Sequence, residues 1–164
     1  MHNHAADHAH DHADHENVLD RAERLCRERD LQFTRLRRDV LETVAGEARP
    51  MGAYDIAERL SGGGKRVAAV SVYRALDFLT EHGLVHRIAS RNAFVSCGHS
   101  HGERDGLLFL ICRSCGGIDE LTSPAIESQL DQAVTEAGFT PTSRIIEVEG
   151  ECGACREREG LAGQ

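Results

Sequence analysis

Two Cys-x-x-Cys pairs carry the clearest chemistry in this chain: Cys112 with Cys115 in FLICRSCGG, and Cys152 with Cys155 in GECGAC. Each pair sets two thiolates on one side of a tight loop, at adjacent corners of a tetrahedron. Two such turns complete a four-sulfur zinc site with no corner open to water, which makes the site structural. A redox dithiol would account for one pair, whereas two matched pairs favour metal. Residues 116 to 151 are too many for a simple ribbon loop, so they must fold as a unit that returns the second turn beside the first.

A second set of metal-competent groups remains after those four sulfurs are assigned. The extended runs LVHRIA and AFVSC, joined by Ser90, Arg91 and Asn92, read as a hairpin. If Arg91 and Asn92 form a two-residue turn, residues whose numbers sum to 183 lie opposite each other. His86 and Cys97 then face one another with Cβ atoms ~4.5–5.5 Å apart, where one ion can bridge imidazole and thiol. His99, His101 and Asp105 follow in a Gly-containing loop, and Glu120 lies on the strand beyond the first Cys turn. A site drawing on hairpin, loop and later strand would tie two domains together, which is how a metal becomes a signal. Cys26, isolated on a helical stretch, reads as a small core residue.

The elements that position these groups follow from periodicity. Val18, Leu19, Ala22, Leu25 and Cys26 keep a helical repeat. Thr34 reads as the N-cap of a second helix through Val40, Leu41 and Val44, closed by Gly46. A third helix spans about 52–60, and a fourth runs from about Val70 to His82, burying Val72, Leu76 and Leu79 before Gly83. Helices followed by a hairpin make a winged helix-turn-helix with the hairpin as wing. Ser71, Tyr73 and Arg74 occupy the first turns of the fourth helix, the end a recognition helix presents to base edges. Arg74 can donate two parallel hydrogen bonds to guanine N7 and O6, and Tyr54 near the start of the third helix can add a contact. Beyond the wing come two strands, then a helix opened by Ser123 and Pro124 with Ile126, Leu130, Val134 and Ala137 on one face. A last strand enters the second Cys turn. Such a unit leaves a sheet edge and a face uncovered, which a second copy of the chain would complete.

The fold class expected is therefore α+β: an N-terminal winged helix-turn-helix, then a small α/β dimerisation domain with a four-cysteine zinc site. The expected divisions are a disordered His-rich tail over 1–16, a DNA-binding domain over 17–90, a dimerisation and metal-binding domain over 91–156, and a flexible tail over 157–164. Net charge is −8, unevenly spread. Residues 17–91 hold fourteen basic against eleven acidic side chains, while 92–164 hold five against twelve, so only the middle segment suits phosphates. Six histidines among the first sixteen residues attract metal. No apolar run approaches the ~20 residues that span a bilayer, and a cytoplasmic location with reduced thiols is expected.

VSVYRALDFLTEHGLVHRI, AFVSC, FLICRSCGGIDE and GECGAC together resemble the ferric uptake regulators, most closely their zinc-uptake-regulator branch, over about residues 20 to 156. The resemblance implies cytoplasmic homodimers built of a winged helix and an α/β domain, with structural zinc at the four cysteines. It also implies a regulatory zinc at His86, Cys97 and Glu120, hence two zinc ions per subunit. The fourth regulatory ligand is any of His99, His101 and Asp105. Tyr54 and Arg74 match the positions that read DNA in that branch. The His-His-Asp-His-like run of the iron- and peroxide-sensing branches is missing, and the histidine many relatives place eight before the third cysteine is Arg144.

The expectation is a zinc-dependent repressor of zinc-uptake genes, not an enzyme, whose partners are a palindromic double-stranded operator and a second copy of itself. Neither a membrane nor a small organic substrate is expected. An iron- or peroxide-responsive regulator is the alternative, and a zinc-buffering protein a more distant one. A zinc hydrolase is disfavoured because no His-Glu-x-x-His occurs and no carboxylate sits beside an evident pocket.

Overall fold

The computed structural model describes residues 12–62, 66–97, 107–142 and 144–162. Its N-terminal half is four helices and a hairpin: α1 (His12–Glu28), α2 (Arg35–Ala45), α3 (Ala53–Leu60), α4 (Ala69–Glu81), β1 (Val85–Ile88) and β2 (Ala93–Ser96). Thr34 starts α2 by accepting a hydrogen bond from the Arg37 N–H, which satisfies one of the orphan donors of a helix N-terminus. Gly83 takes φ +65°, the left-handed cap that turns α4 into β1 without a Cβ clash. Val40, Leu41, Ile56, Val72, Leu76 and Leu79 are fully buried and recur at helical spacing, so one face of each helix meets a common core. Each such side chain contributes roughly 1.5–3 kcal/mol by leaving water.

The wing differs from expectation in its register. β1 and β2 pair antiparallel with His86 opposite Val95 and Val85 opposite Ser96, so opposed residue numbers sum to two less than the two-residue turn requires. Ala89–Arg91 form a 3-10 turn and Asn92 sits in the left-handed region at φ 46°. Asn92 tolerates that conformation, and its side-chain oxygen accepts from Arg87 at 2.9 Å. Cys97 continues the ladder past Ser96 through its N–H to the Leu84 carbonyl at 3.0 Å. Met51 and Phe94 exchange both backbone hydrogen bonds, fastening the wing to the segment before α3.

The C-terminal half contains β3 (Leu107–Cys112), β4 (Ile118–Leu121), α5 (Pro124–Glu136), β5 (Ile145–Gly150) and α6 (Gly153–Ala162). The sheet order is β4-β3-β5. β3 pairs antiparallel with β4 and parallel with β5, the parallel pair requiring the α5 crossover. Ser123 holds the N-cap position with Pro124 at N1, but its side chain makes no capping bond. No residue of α5 is fully buried, and Leu110, Leu121, Ile126, Phe139, Ile145 and Val148 are exposed. Leu110, Leu121 and Val148 share one face of the sheet, so that face is in part uncovered apolar surface.

Several boundaries shift. α1 begins at His12, inside the segment expected to be disordered, and residues 1–11 lie outside the described residues. The division expected at residue 90 falls inside the hairpin, whose second strand ends at Ser96. Residues 157–162, expected as a flexible tail, continue helix α6. Among the described residues no helix is long and apolar enough to cross a membrane.

Leu76→Ala is expected to lower stability in urea unfolding by ~2–5 kcal/mol, the cost of a cavity where neighbours cannot collapse. A loss below ~1 kcal/mol would mean this core is not the close-packed one described.

Candidate metal centres and nucleic-acid interface

The parallel pairing of β3 with β5 places Cys112 opposite Gly150, so the two Cys turns emerge side by side. Ser114 in one turn donates to Glu151 beside the other at 2.8 Å. The sulfurs of Cys112, Cys115, Cys152 and Cys155 all lie within 4.8 Å of one another. Cys112 Sγ is 3.8 Å from Cys155 Sγ, and Cys115 Sγ is 3.9 Å from Cys152 Sγ. Disulfide sulfurs are ~2.05 Å apart, so these are not bonded pairs. A tetrahedron with zinc–sulfur bonds of ~2.3 Å has edges of ~3.8 Å, which the two separations match.

The electrostatics of the cluster ask for a cation. Backbone N–H groups of Cys115 and Cys152 hold the Cys112 thiol down to about 6. Its hydrogen bond with Cys152, together with burial, pushes Cys155 up to about 12. Four sulfurs this close cannot all be anionic by themselves, whereas a divalent ion stabilises all four thiolates. Arg158, on α6, donates to Cys155 Sγ at 3.0 Å, setting a positive charge against the net charge of −2 that four thiolates around a zinc ion would carry. Sequence reasoning missed Arg158. Its signal is position: three residues after Cys155, it lies one helical turn along α6.

The second centre lies where the wing meets the sheet. His86, Cys97 and Glu120 bring one ligand atom each to within 4.8 Å of one another, a spread on the scale that ligands of one ion span. His86 and Cys97 are buried, Glu120 half-buried. His86 and Cys97 are diagonal neighbours, on one face of the hairpin because Val95 opposite His86 is two residues from Cys97. Imidazole, thiol and carboxylate form a donor set suited to zinc. Arg21 of α1 donates to the Cys97 carbonyl at 2.7 Å, fixing the backbone of one member; nothing local in the sequence announces that contact across 76 residues. His99, His101 and Asp105 lie outside the described residues. Arg144 is ion-paired with Asp131.

Phe109 explains how wing and sheet meet. In β3 it stands opposite Glu120 of β4 and Glu147 of β5, and side chains of one row share a face. Phe109 is fully buried, clustered with Ile88, Ile111, Val95 and Ile118, and its ring centroid is 5.6 Å from that of His86. Glu147 accepts from Ala89 N–H at 2.6 Å and Ser90 N–H at 3.1 Å. Burial works against its charge, but the Ser90 side chain and these two N–H groups outweigh it and hold the carboxyl below its usual range.

The third cluster is on α3 and α4. Tyr54 is 72% exposed, an unusual position for an aromatic ring, and meets Tyr73 edge-on at 6.2 Å between centroids. Tyr73 packs partly on the core, Ser71 is half-buried, and Arg74 is exposed. Tyr54, Ser71 and Arg74 thus belong to one helix-turn-helix surface with polar groups available to phosphates or base edges. Cys26 is buried in the helical core, and burial pushes its thiol up.

A model of the ferric uptake regulator family matches residues 28–149. The zinc uptake regulation protein of Escherichia coli (strain K12) is 31% identical over 144 residues, covering 88% of this chain and 84% of that protein. A solved zinc uptake regulator complexed with zinc and DNA superposes with a TM-score of 0.83 at 31% identity, over 89% of this chain and 97% of the other. Holo XcZur matches with a TM-score of 0.77 at 36% identity, over 86% and 98% of the two chains. Apo XcZur, at 37% identity over 88% and 99%, reaches only 0.52.

Cys152→Ser is expected to remove about one zinc per chain, measured by atomic emission, and to lower the melting temperature; unchanged zinc content would separate the four sulfurs from any shared ion. Arg158→Met is expected to speed zinc transfer to a chelator about tenfold, the scale on which outer contacts tune a metal site.

Proposed function

The chain belongs to the ferric uptake regulator family, and from that premise we propose that it is a zinc-responsive DNA-binding repressor of zinc-uptake genes, acting as a homodimer. The observation that carries this reading is the gathering of His86 and Cys97, on the wing, with Glu120, on the sheet. A ligand set divided between two halves of a chain converts metal binding into relative orientation. The greater likeness to holo than to apo XcZur, at nearly equal identity, supports the same reading.

In this reading Cys112, Cys115, Cys152 and Cys155 hold a structural zinc that braces the ends of β3 and β5. His86, Cys97 and Glu120 hold a second, regulatory zinc, with a fourth ligand from His99, His101 or Asp105, so each subunit carries two. A bound ion supplies a bond between wing and sheet. The chain's own residues do the rest: Phe109 provides the apolar bearing, and β1 passes the orientation to α4 through Leu84 and Val85, which pack in the helical core. Arg74, Ser71, Tyr73 and Tyr54 then meet DNA at a spacing that the dimer sets. The exposed apolar side of the C-terminal half is the surface on which two copies would pair. Cys97 is a thiolate ligand, which suits zinc better than ferrous iron.

With the hinge unligated, only a fraction of molecules has the competent orientation, and apparent affinity falls by that fraction. A coupling of ~1–3 kcal/mol corresponds to ~5–150-fold in DNA affinity. Fluorescence anisotropy on a palindromic operator in buffered zinc should resolve this, and Cys97→Ala should bind weakly at every zinc level while retaining the structural ion. Equal operator affinity with and without zinc, or equal activation by iron, would remove the proposal.

A further inference from the structure

The wing touches the sheet at two places, and only one of them involves the proposed regulatory ligands. Glu120 and Glu147 flank Phe109 in a single row across β4, β3 and β5, so both carboxylates address the wing. Glu120 reaches the open end of the hairpin, where His86 and Cys97 lie. Glu147 reaches the tip, where it accepts the N–H groups of Ala89 and Ser90, 58 and 57 residues away in sequence. Two residues along β5 on the same face, Glu149 pairs with Arg91 of the same turn at 3.5 Å. The tip is thus held by carboxylates from the sheet and needs no metal for it.

We propose that Glu147 is a positioning residue of the sensor: a metal-independent anchor that keeps the wing tip on the sheet and thereby raises zinc affinity at His86, Cys97 and Glu120. This rests on the regulatory reading of those three residues. The physical basis is preorganisation. A hairpin free at both ends must lose its freedom of rotation over Phe109 when it shares an ion with Glu120. One already pinned at the tip presents His86 and Cys97 near Glu120 at high effective concentration, so less ordering opposes binding. Two charge-assisted hydrogen bonds from backbone N–H groups are strong enough to matter.

Two different substitutions break the same contact. Glu147→Gln removes the charge and leaves one acceptor. Ala89→Pro removes the donated N–H, and a proline suits this position because Ala89 opens the 3-10 turn and Ile88 before it is extended at ψ 102°. Zinc affinity at the second site is read by competition with a chromophoric chelator on full-length protein whose four-cysteine site is loaded. Each variant is expected to weaken that affinity about 3- to 10-fold, and the double variant no further than the more affected single one. Zinc content at the four-cysteine site should stay unchanged, which certifies folding. Affinities within twofold of the parent in both single variants, or effects that add, would overturn the proposal. The readout contains no DNA, so failure of zinc-dependent operator binding by the parent protein would sink the repressor reading instead and leave this result separately legible.

Discussion

The sulfurs of Cys112, Cys115, Cys152 and Cys155 stand closer together than four thiolates tolerate without a cation among them. The rest of the C-terminal half depends on resolving that conflict. Its buried apolar side chains among the described residues are few, chiefly Leu108, Phe109 and Ile111, with Cys112 and Cys155 themselves part of the interior. A core of that size gives little net stability by itself. A metal that joined the end of β3 to the turn after β5 would supply what hydrophobic burial does not. The parallel register brings the turns into reach, and an ion held there would secure the register.

Once the sheet is secured, its face becomes a bearing for the wing. Phe109 and Ile111 pack against Ile88 and Val95, and two glutamates of the Phe109 row address opposite ends of the hairpin. This divides labour between permanent and conditional contacts. On the proposed reading, apolar packing and the Glu147 bonds would persist whatever the metal supply, while the His86, Cys97 and Glu120 cluster would be complete only with an ion. A joint built wholly of permanent contacts would not respond to zinc. One built wholly of conditional contacts would lose more orientational entropy on closing, and so need more zinc.

Much of this is legible in the chain because the informative signals are local. Helix periodicity places α2, α3 and α4 close to their observed spans, and the Cys-x-x-Cys spacing declares its own geometry. The wing shows both the reach and the limit of such reasoning. A two-residue turn implies His86 opposite Cys97, whereas the 3-10 turn with Asn92 in the left-handed region puts Val95 there. The slip is of two residues, so side-chain parity survives and Cys97 remains on the face of His86. A slip of one would have turned the thiol away. Arg21 and Glu147 are not legible as site residues, because a surface charge has no pattern until its distant partner is known; Arg158 had a local signal in its spacing from Cys155.

Residue types and spacings alone determined the winged helix, the two Cys turns, the strand–helix–strand unit between them and the candidate ligands on separate elements. Those features rest on interactions within a few residues, where backbone geometry leaves few choices. Tertiary structure alone decided that Glu120 meets the wing and not solvent, that Glu147 holds the hairpin tip, and that Arg21 lies against the Cys97 carbonyl. Each of these depends on how independently formed surfaces dock, a matter of shape and charge between segments far apart in the chain.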